Sequence, residues 1–348
     1  MSIYNVGVSG YNAYLIQAEK NVLIDTVPFE YAGELKKNIG EYISVEELDY
    51  IVINHTSYER CSSLCELLKI KPDVAVISTV SGLKNIHEQL NGDFNEILAK
   101  SNMTLRLDTN NTLKFFITHN IDWPDSMMTY IDGILFSCDA FSDEGKGIEG
   151  YYIENLSHMS DFVYSAMCFL ETVDIAKILP ASGEEISDCK GAIKLYKELS
   201  EPYDGDNRKV SVIYYSKTGN TEKLAKRCEQ FGISIYNVAD YSKKELLDVI
   251  YKSRGVIFAT PTHNRNIPFE MASLLMSINH FKITDKLFAS FGSYGWSGEA
   301  PNLVYSILRA RHFETYSSPF RYLFSADEFS LSEFDKFIKA FYEKIINI

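Results

Sequence analysis

Three hydroxyl side chains, a lysine, a glycine and an asparagine fall together in Ser216-Lys217-Thr218-Gly219-Asn220-Thr221, directly after the apolar run Val212-Ile213-Tyr214-Tyr215 and directly before Glu222-Lys223-Leu224-Ala225-Lys226. That order predicts a strand, a tight loop and a helix. The first backbone N–H groups of a helix have no intrahelical partner, so with the hydroxyls of Ser216, Thr218 and Thr221 they can surround a phosphate dianion. The glycine spacing fits neither a Walker loop nor a dinucleotide fingerprint. A hydroxyl-rich N-cap that holds no ligand is the alternative, since such caps are common. A second polar loop, Asn54-His55-Thr56-Ser57-Tyr58-Glu59-Arg60-Cys61-Ser62-Ser63, follows the buried-type run Tyr50–Ile53 and again leads into a helical segment. Loops of this kind carry sites.

The elements that must position these loops fall into two groups. Up to about residue 200, apolar runs at Tyr11–Ile16, Asn21–Thr26, Tyr50–Ile53, Val74–Ser78, Leu113–Thr118, Gly133–Phe141 and Ile178–Ala181 each stop at a polar turn. The first two read as a hairpin, and the set suits an αββα sandwich whose loops meet along one edge. Beyond the phosphate-type loop, strands at Ile233–Val238, Gly255–Ala259, Lys286–Phe291 and Phe320–Phe324 alternate with helices at Lys243–Tyr251, Pro268–Ile278 and Leu331–Ile346. Strict alternation of strand and helix means a doubly wound parallel sheet. The junction is Glu201-Pro202-Tyr203-Asp204-Gly205-Asp206-Asn207-Arg208, polar and turn-rich, giving domains of residues 1–203 and 204–348.

Charge divides along the same line, with 31 acidic and 15 basic side chains before residue 204 (net −16) against 16 and 19 after it (net +3). The total of −13 argues against nucleic acid as a partner. With 46% hydrophobic residues in 348, each domain can bury a full core. No apolar run approaches the ~20 residues that span a bilayer, and the start lacks a signal-peptide pattern, so no membrane association and a cytoplasmic location are expected. Six scattered cysteines do not make a disulfide framework.

The order of motifs resembles the flavodiiron proteins (A-type flavoproteins) over nearly the whole chain. Leu23-Ile24-Asp25-Thr26-Val27, Trp123-Pro124-Asp125-Ser126-Met127-Met128-Thr129-Tyr130 and Leu135-Phe136-Ser137-Cys138-Asp139-Ala140-Phe141 carry the likeness to the metallo-beta-lactamase-like half. The loop at Ser216–Thr221 carries the likeness to the flavodoxin half. The resemblance implies FMN. It would be held by Ser216, Lys217, Thr218, Gly219, Asn220 and Thr221 at its phosphate. Thr260, Pro261, Thr262, His263 and Asn264 would give backbone N–H groups to the isoalloxazine edge. Gly292, Ser293, Tyr294, Gly295, Trp296 and Gly298 would form the loop beside the ring, with Glu299 where a small residue is usual.

The resemblance also implies seven iron-ligand places, and here the chain departs from the family. The family loop Asn-His-x-Glu-x-Asp-His-Ser-Gly becomes His55, Ser57, Glu59 and Arg60 at its ligand places, and Asp122, Asp139 and Ser182 stand at the other three. His55, Glu59, Asp122 and Asp139 are the remaining metal candidates, enough for a single ion such as Zn²⁺ but too poor in imidazole for full diiron occupancy. Arg60 has no lone pair for a metal; it either points to solvent or replaces the lost cation among Glu59, Asp122 and Asp139. The expected function is an FMN-dependent electron-transfer oxidoreductase without the diiron centre, supplied by a separate donor such as a rubredoxin or flavin reductase and built as a head-to-tail homodimer. A remodelled metal-dependent oxygen or nitric oxide reductase, and a non-catalytic flavin-binding scaffold or sensor, are the alternatives.

Overall fold

The structure, a computed structural model, describes residues 1–201, 208–278 and 286–346. Two compact units, Met1–Glu201 and Pro202–Ile348, divide the chain. The expected boundary between residues 203 and 204 lies outside the described residues. Among the described residues no helix is long and apolar enough to cross a membrane. All six cysteines are free.

In the first unit, β1 (Ser2–Asn5), β2 (Tyr14–Gln17), β3 (Asn21–Ile24), β4 (Leu48–Val52), β5 (Ala75–Ser78) and β6 (Asn95–Leu98) form one sheet in that order. A second sheet runs in the reverse order from β11 (Lys177–Pro180) through β10 (Ile134–Cys138), β9 (Met127–Ile131) and β8 (Thr112–Ile117) to β7 (Thr104–Arg106). Successive strand residues point to opposite faces, and the alternation sorts the core into layers. Tyr14, Ile16, Val22, Ile24, Val52 and Ile77 meet Leu113, Phe115, Met127, Ile131 and Phe136 between the sheets. Their neighbours Leu15, Leu23, Ile51 and Val76 face outward onto Leu35, Ile39, Leu64 and Ile86 of the covering helices. Met128, Leu135 and Ile178 face Val163, Met167, Ile193 and Tyr196 on the other side. Helix, sheet, sheet, helix is the expected αββα sandwich. The edge strands β1, β6 and β7 escape the sequence reading because they are short, and β1 and β6 bury no residue fully.

The second unit has β12 (Val210–Tyr214), β13 (Ser234–Asn237), β14 (Gly255–Ala259), β15 (Leu287–Tyr294), β16 (Glu314–Thr315) and β17 (Phe320–Leu323). Sheet order is β13-β12-β14-β15-β16, with β17 also paired to β15, and every pairing is parallel. Val212, Ile257 and Phe291 face Phe334, Ile338 and Phe341 of the last helix, Glu328–Ile346. Ile213, Phe258 and Phe288 face the opposite way, onto Leu246, Met271 and Val304. Both faces are covered, as in a doubly wound sheet. Chain order reverses between β12 and β14, and ligands of such sheets bind at the carboxyl ends there.

Candidate functional site

Three loops leave the carboxyl ends of β12, β14 and β15. After Tyr214 the chain turns through Tyr215–Gly219 into the helix Asn220–Arg227. Gly219 adopts φ +82°, where a side chain would be strained, and its N–H donates to Ser216 Oγ at 3.1 Å. After β14, His263 and Asn266 exchange backbone hydrogen bonds of 3.0 and 2.9 Å around Asn264 and Arg265, both left-handed. Gly292 is required where β15 passes the first residue of that loop, because a Cβ there would lie 1.8 Å from Thr260 O.

The second and third loops are tied to one another. Thr260 N–H donates to Phe291 O at 3.0 Å, Thr262 N–H to Ser293 O at 3.1 Å, and Ala300 N–H to Thr262 Oγ1 at 3.1 Å. Phe324 N–H donates to Tyr294 O at 2.8 Å and binds β17 to the same group. Together the three loops surround a cavity of about 520 Å³, whose wall includes Lys217, Thr218 and Asn220 from the first, Pro261, Thr262 and His263 from the second, and Gly295 from the third, next to Ser293 and Tyr294 at the end of β15 itself. A neighbouring hollow of about 490 Å³ shares Thr262 and Gly295 and adds Asn264, Arg265, Trp296, Ser297 and Glu299. An anion fits the helix N-terminus at one end, and aromatic area lies at the other.

In the first unit, four functional groups meet below the loops that follow β4, β8 and β10. The Arg60 backbone is fixed because its carbonyl accepts from Thr26 N–H at 2.9 Å and Thr26 Oγ1 at 2.8 Å. Its side chain, 5% exposed, turns inward: Nη2 and Nε donate to Asp139 Oδ1 at 2.9 and 3.3 Å, and Nη1 donates to Ala181 O at 2.8 Å. Asp139 Oδ2 accepts a short hydrogen bond from His55 Nε2. Ser57 N–H points at His55 Nδ1 from 3.1 Å, which keeps that nitrogen unprotonated and the ring proton on Nε2. Trp123 stacks parallel to His55 with ring centroids 5.8 Å apart.

Burial pushes the Asp139 carboxyl up, but Arg60 and then His55 outweigh it and hold the group well below the usual carboxylate range. Asp122, in a left-handed conformation, is pushed up to about 7, first by burial and next by the negative charge of Asp139. Arg60 is therefore the fixed cation of the set and Asp139 its anion; burial pulls the His55 ring down, but the charge of Asp139 and its hydrogen bond outweigh that and raise it above its ordinary value. Asp25 braces the set: buried, it accepts from Asn54 N–H at 2.7 Å and Asn54 Nδ2 at 2.9 Å, while Thr129 Oγ1 donates to Asn54 Oδ1 at 2.8 Å.

Comparison with known proteins links the two halves. Residues 10–175 match the ODP family beta lactamase, and residues 212–337 match flavodoxin. The anaerobic nitric oxide reductase flavorubredoxin of Escherichia coli O1:K1 / APEC is 30% identical over 338 residues, covering 88% of this chain and 70% of the relative. The rubredoxin oxygen:oxidoreductase from Desulfovibrio gigas superposes with TM-score 0.69 at 25% identity, covering 97% of this chain and 91% of that one. The flavodiiron protein from Giardia intestinalis has the same fold, with TM-score 0.68 at 23% identity over 99% of this chain and 96% of that one. The chain belongs to the flavodiiron protein family.

Against the flavodiiron ligand places, the structure brings His55, Asp122 and Asp139 together and leaves Glu59 out. Glu59 is exposed on the short helix Tyr58–Cys61, one residue before the inward-turned Arg60, so adjacent helix positions point different ways. Ser57 and Ser182 are buried hydroxyls, and Ser182 Oγ donates to Asp143 O at 3.4 Å. Cys138, absent from the sequence candidates, is buried with His55 and Asp139, their possible ligand atoms all within 4.8 Å of one another. Its signal in the sequence was only its place beside Asp139.

Of the expected flavin residues, Ser216, Gly219, Thr221, Thr260, Gly292 and Gly298 are not on the wall of either hollow. Thr221 is fully buried, its hydroxyl 2.9 Å from Ser293 Oγ. The N–H groups of Thr260, Thr262 and His263 are already engaged within the loops and Pro261 has none, which leaves Asn264 of that stretch for a ligand. Sequence reasoning missed Tyr215, Pro268, Phe269, Glu270 and Phe324 on the cavity wall. Phe269 and Phe324 read as ordinary apolar positions, yet they are 81% and 61% exposed.

Proposed function

We propose that this flavodiiron-family chain is an FMN-dependent electron-transfer oxidoreductase in which a buried arginine–carboxylate pair takes the place of the diiron centre. The observation that carries this reading is Arg60, 5% exposed and donating through Nε and Nη2 to Asp139. Guanidinium holds its proton at any physiological pH and has no lone pair to offer a metal. One imidazole, two serines and an arginine do not fit two irons, which need several neutral nitrogen donors.

FMN fits the second unit. Lys217 and the amino end of Asn220–Arg227 would receive its phosphate, while Tyr294 and Trp296 would offer aromatic area to the ring. Bound there, the flavin would supply one- and two-electron transfer; the chain's residues hold and orient it. The donor is a separate protein such as a rubredoxin or flavin reductase, and the active form is a head-to-tail homodimer. Nitric oxide and oxygen, which the relatives' names carry, are the acceptors to try first.

A second reading rests on the closeness of His55, Cys138 and Asp139. A single Zn²⁺ could take those three atoms, although His55 Nε2 would have to give up its proton and the ion would lie beside the Arg60 charge. Metal and flavin content of freshly purified protein separates the readings. One FMN and well under one metal per subunit is expected; one zinc per subunit favours the second, and two irons would overturn the first. Reduction of the bound FMN without turnover of any acceptor would point instead to a scaffold or sensor.

A further inference from the structure

Behind the phosphate loop lies a buried hydroxyl cluster that takes no part in the cavity wall except through Ser293. Tyr322, on β17, is 3% exposed and sits in the apolar layer with Phe291 and Phe334. Its hydroxyl donates to Asn220 O at 2.7 Å, on the first turn of the helix Asn220–Arg227. The Thr221 and Ser293 hydroxyls are 2.9 Å apart, and Ser293 stands opposite Tyr322 in the β15–β17 pairing. Burial pushes the Tyr322 phenol up to about 12, an effect that hydrogen bonds from Ser293 and Thr221 reduce. A phenylalanine would fill the same apolar space, so the phenol oxygen is accounted for only by the polar groups it meets.

Those groups belong to two different walls of the cavity. Asn220 stands on the phosphate side, and Ser293 lies at the carboxyl end of β15. Asn220 and Ser293 are also joined through the neighbouring Thr221 hydroxyl. We infer that Tyr322 is a positioning residue for the phosphate loop, fixing the first turn of the helix to the end of β15 and so setting how strongly a phosphorylated flavin is preferred over an unphosphorylated one. The inference rests on the proposed FMN binding.

The test uses the full-length apoprotein and two ligands, FMN and riboflavin, with Kd read from quenching of flavin fluorescence. In Tyr322→Phe, FMN should bind about 10-fold more weakly, the loss of one buried hydrogen bond, while riboflavin changes less than about 2-fold. Ser293→Ala cuts the cluster from the other side. If the cluster acts as a unit, FMN binding in the double variant falls by less than the product of the two single effects. Equal weakening of both ligands in Tyr322→Phe would mark a general packing role and overturn the inference, as would no weakening of either. A wild-type protein that binds neither flavin would overturn the proposed function itself, and with it this inference.

Discussion

Replacing Arg60 by methionine keeps most of the side-chain volume and removes the guanidinium bonded to Asp139. Both side chains are 5% exposed, so the carboxylate cannot recover the lost hydrogen bonds from water. Three N–H donations disappear, two to Asp139 and one to Ala181 O. Breaking a buried ion pair by removing one partner costs about 3–5 kcal/mol. His55 still donates to Asp139, and Asp122 can share its proton with it, which places the expected loss near the lower end, about 3 kcal/mol. For a unit of Met1–Glu201 that is a fall in Tm of about 6–12 °C. The chain has two tryptophans, Trp123 and Trp296, so in a Trp296→Phe background the remaining fluorescence reports on Trp123, stacked on His55 at this centre. Urea unfolding followed by that signal should show the loss. Adding Asp139→Asn to Arg60→Met should restore part of it, because removing both charges costs less than leaving one unpaired. A loss under about 0.5 kcal/mol for Arg60→Met, the size of an ordinary surface change, would refute the reasoning.

Asp122, whose pKa is raised by burial and by Asp139, should make the first unit less stable as pH rises. Its folded pKa of about 7 lies above the ~3.9 of an unfolded aspartate, so the stability it contributes is complete below about pH 4 and is lost as pH rises through 7. Urea midpoints compared at pH 5 and pH 8 should show this decline, and Asp122→Asn should flatten it. Thr218→Leu combined with Asn220→Asp places bulk and negative charge where the phosphate would lie; FMN Kd should rise at least about 100-fold, and unchanged affinity would mean the loop is misassigned. Arg60→His alone should leave iron well below one per subunit by elemental analysis, because Ser57 and Ser182 still offer no ligand. Light scattering at micromolar concentration should give the mass of a dimer; a monomer would remove the head-to-tail arrangement.

The parts legible in the sequence were those set by local pattern. Alternation along Tyr14–Ile16 and Asn21–Ile24 assigns each residue to one sheet face, and the polar break after Tyr214 announces the loop. The direction of a loop side chain is a different matter. Glu59 and Arg60 are neighbours in sequence, and only the anchoring of the Arg60 carbonyl by Thr26, more than thirty residues earlier, decides that Arg60 enters the core while Glu59 faces water. Thr221 carries the same lesson, since its hydroxyl could have served a phosphate but meets Ser293 from β15. Phe269 and Phe324 were passed over for the opposite reason. Their residue type says core, and nothing local says that the fold leaves them at the rim of a cavity.

The ties between the loops after β14 and β15 have a thermodynamic consequence for ligand entry. Thr260 and Thr262 donate to the end of β15, Ala300 donates to Thr262, and Phe324 ties the end of β17 to Tyr294, by backbone and hydroxyl contacts that are complete before any ligand arrives. Ordering a loop residue costs about 1–2 kcal/mol of conformational entropy, and here that cost is met during folding. The cavity is preorganised, so association should proceed in a single kinetic phase whose rate rises linearly with ligand concentration, without the plateau that a slow loop closure imposes. Amide exchange in these segments should also change little on binding, whereas the tip at Asn264 and Arg265, held in left-handed backbone and open to solvent, is where protection would be gained.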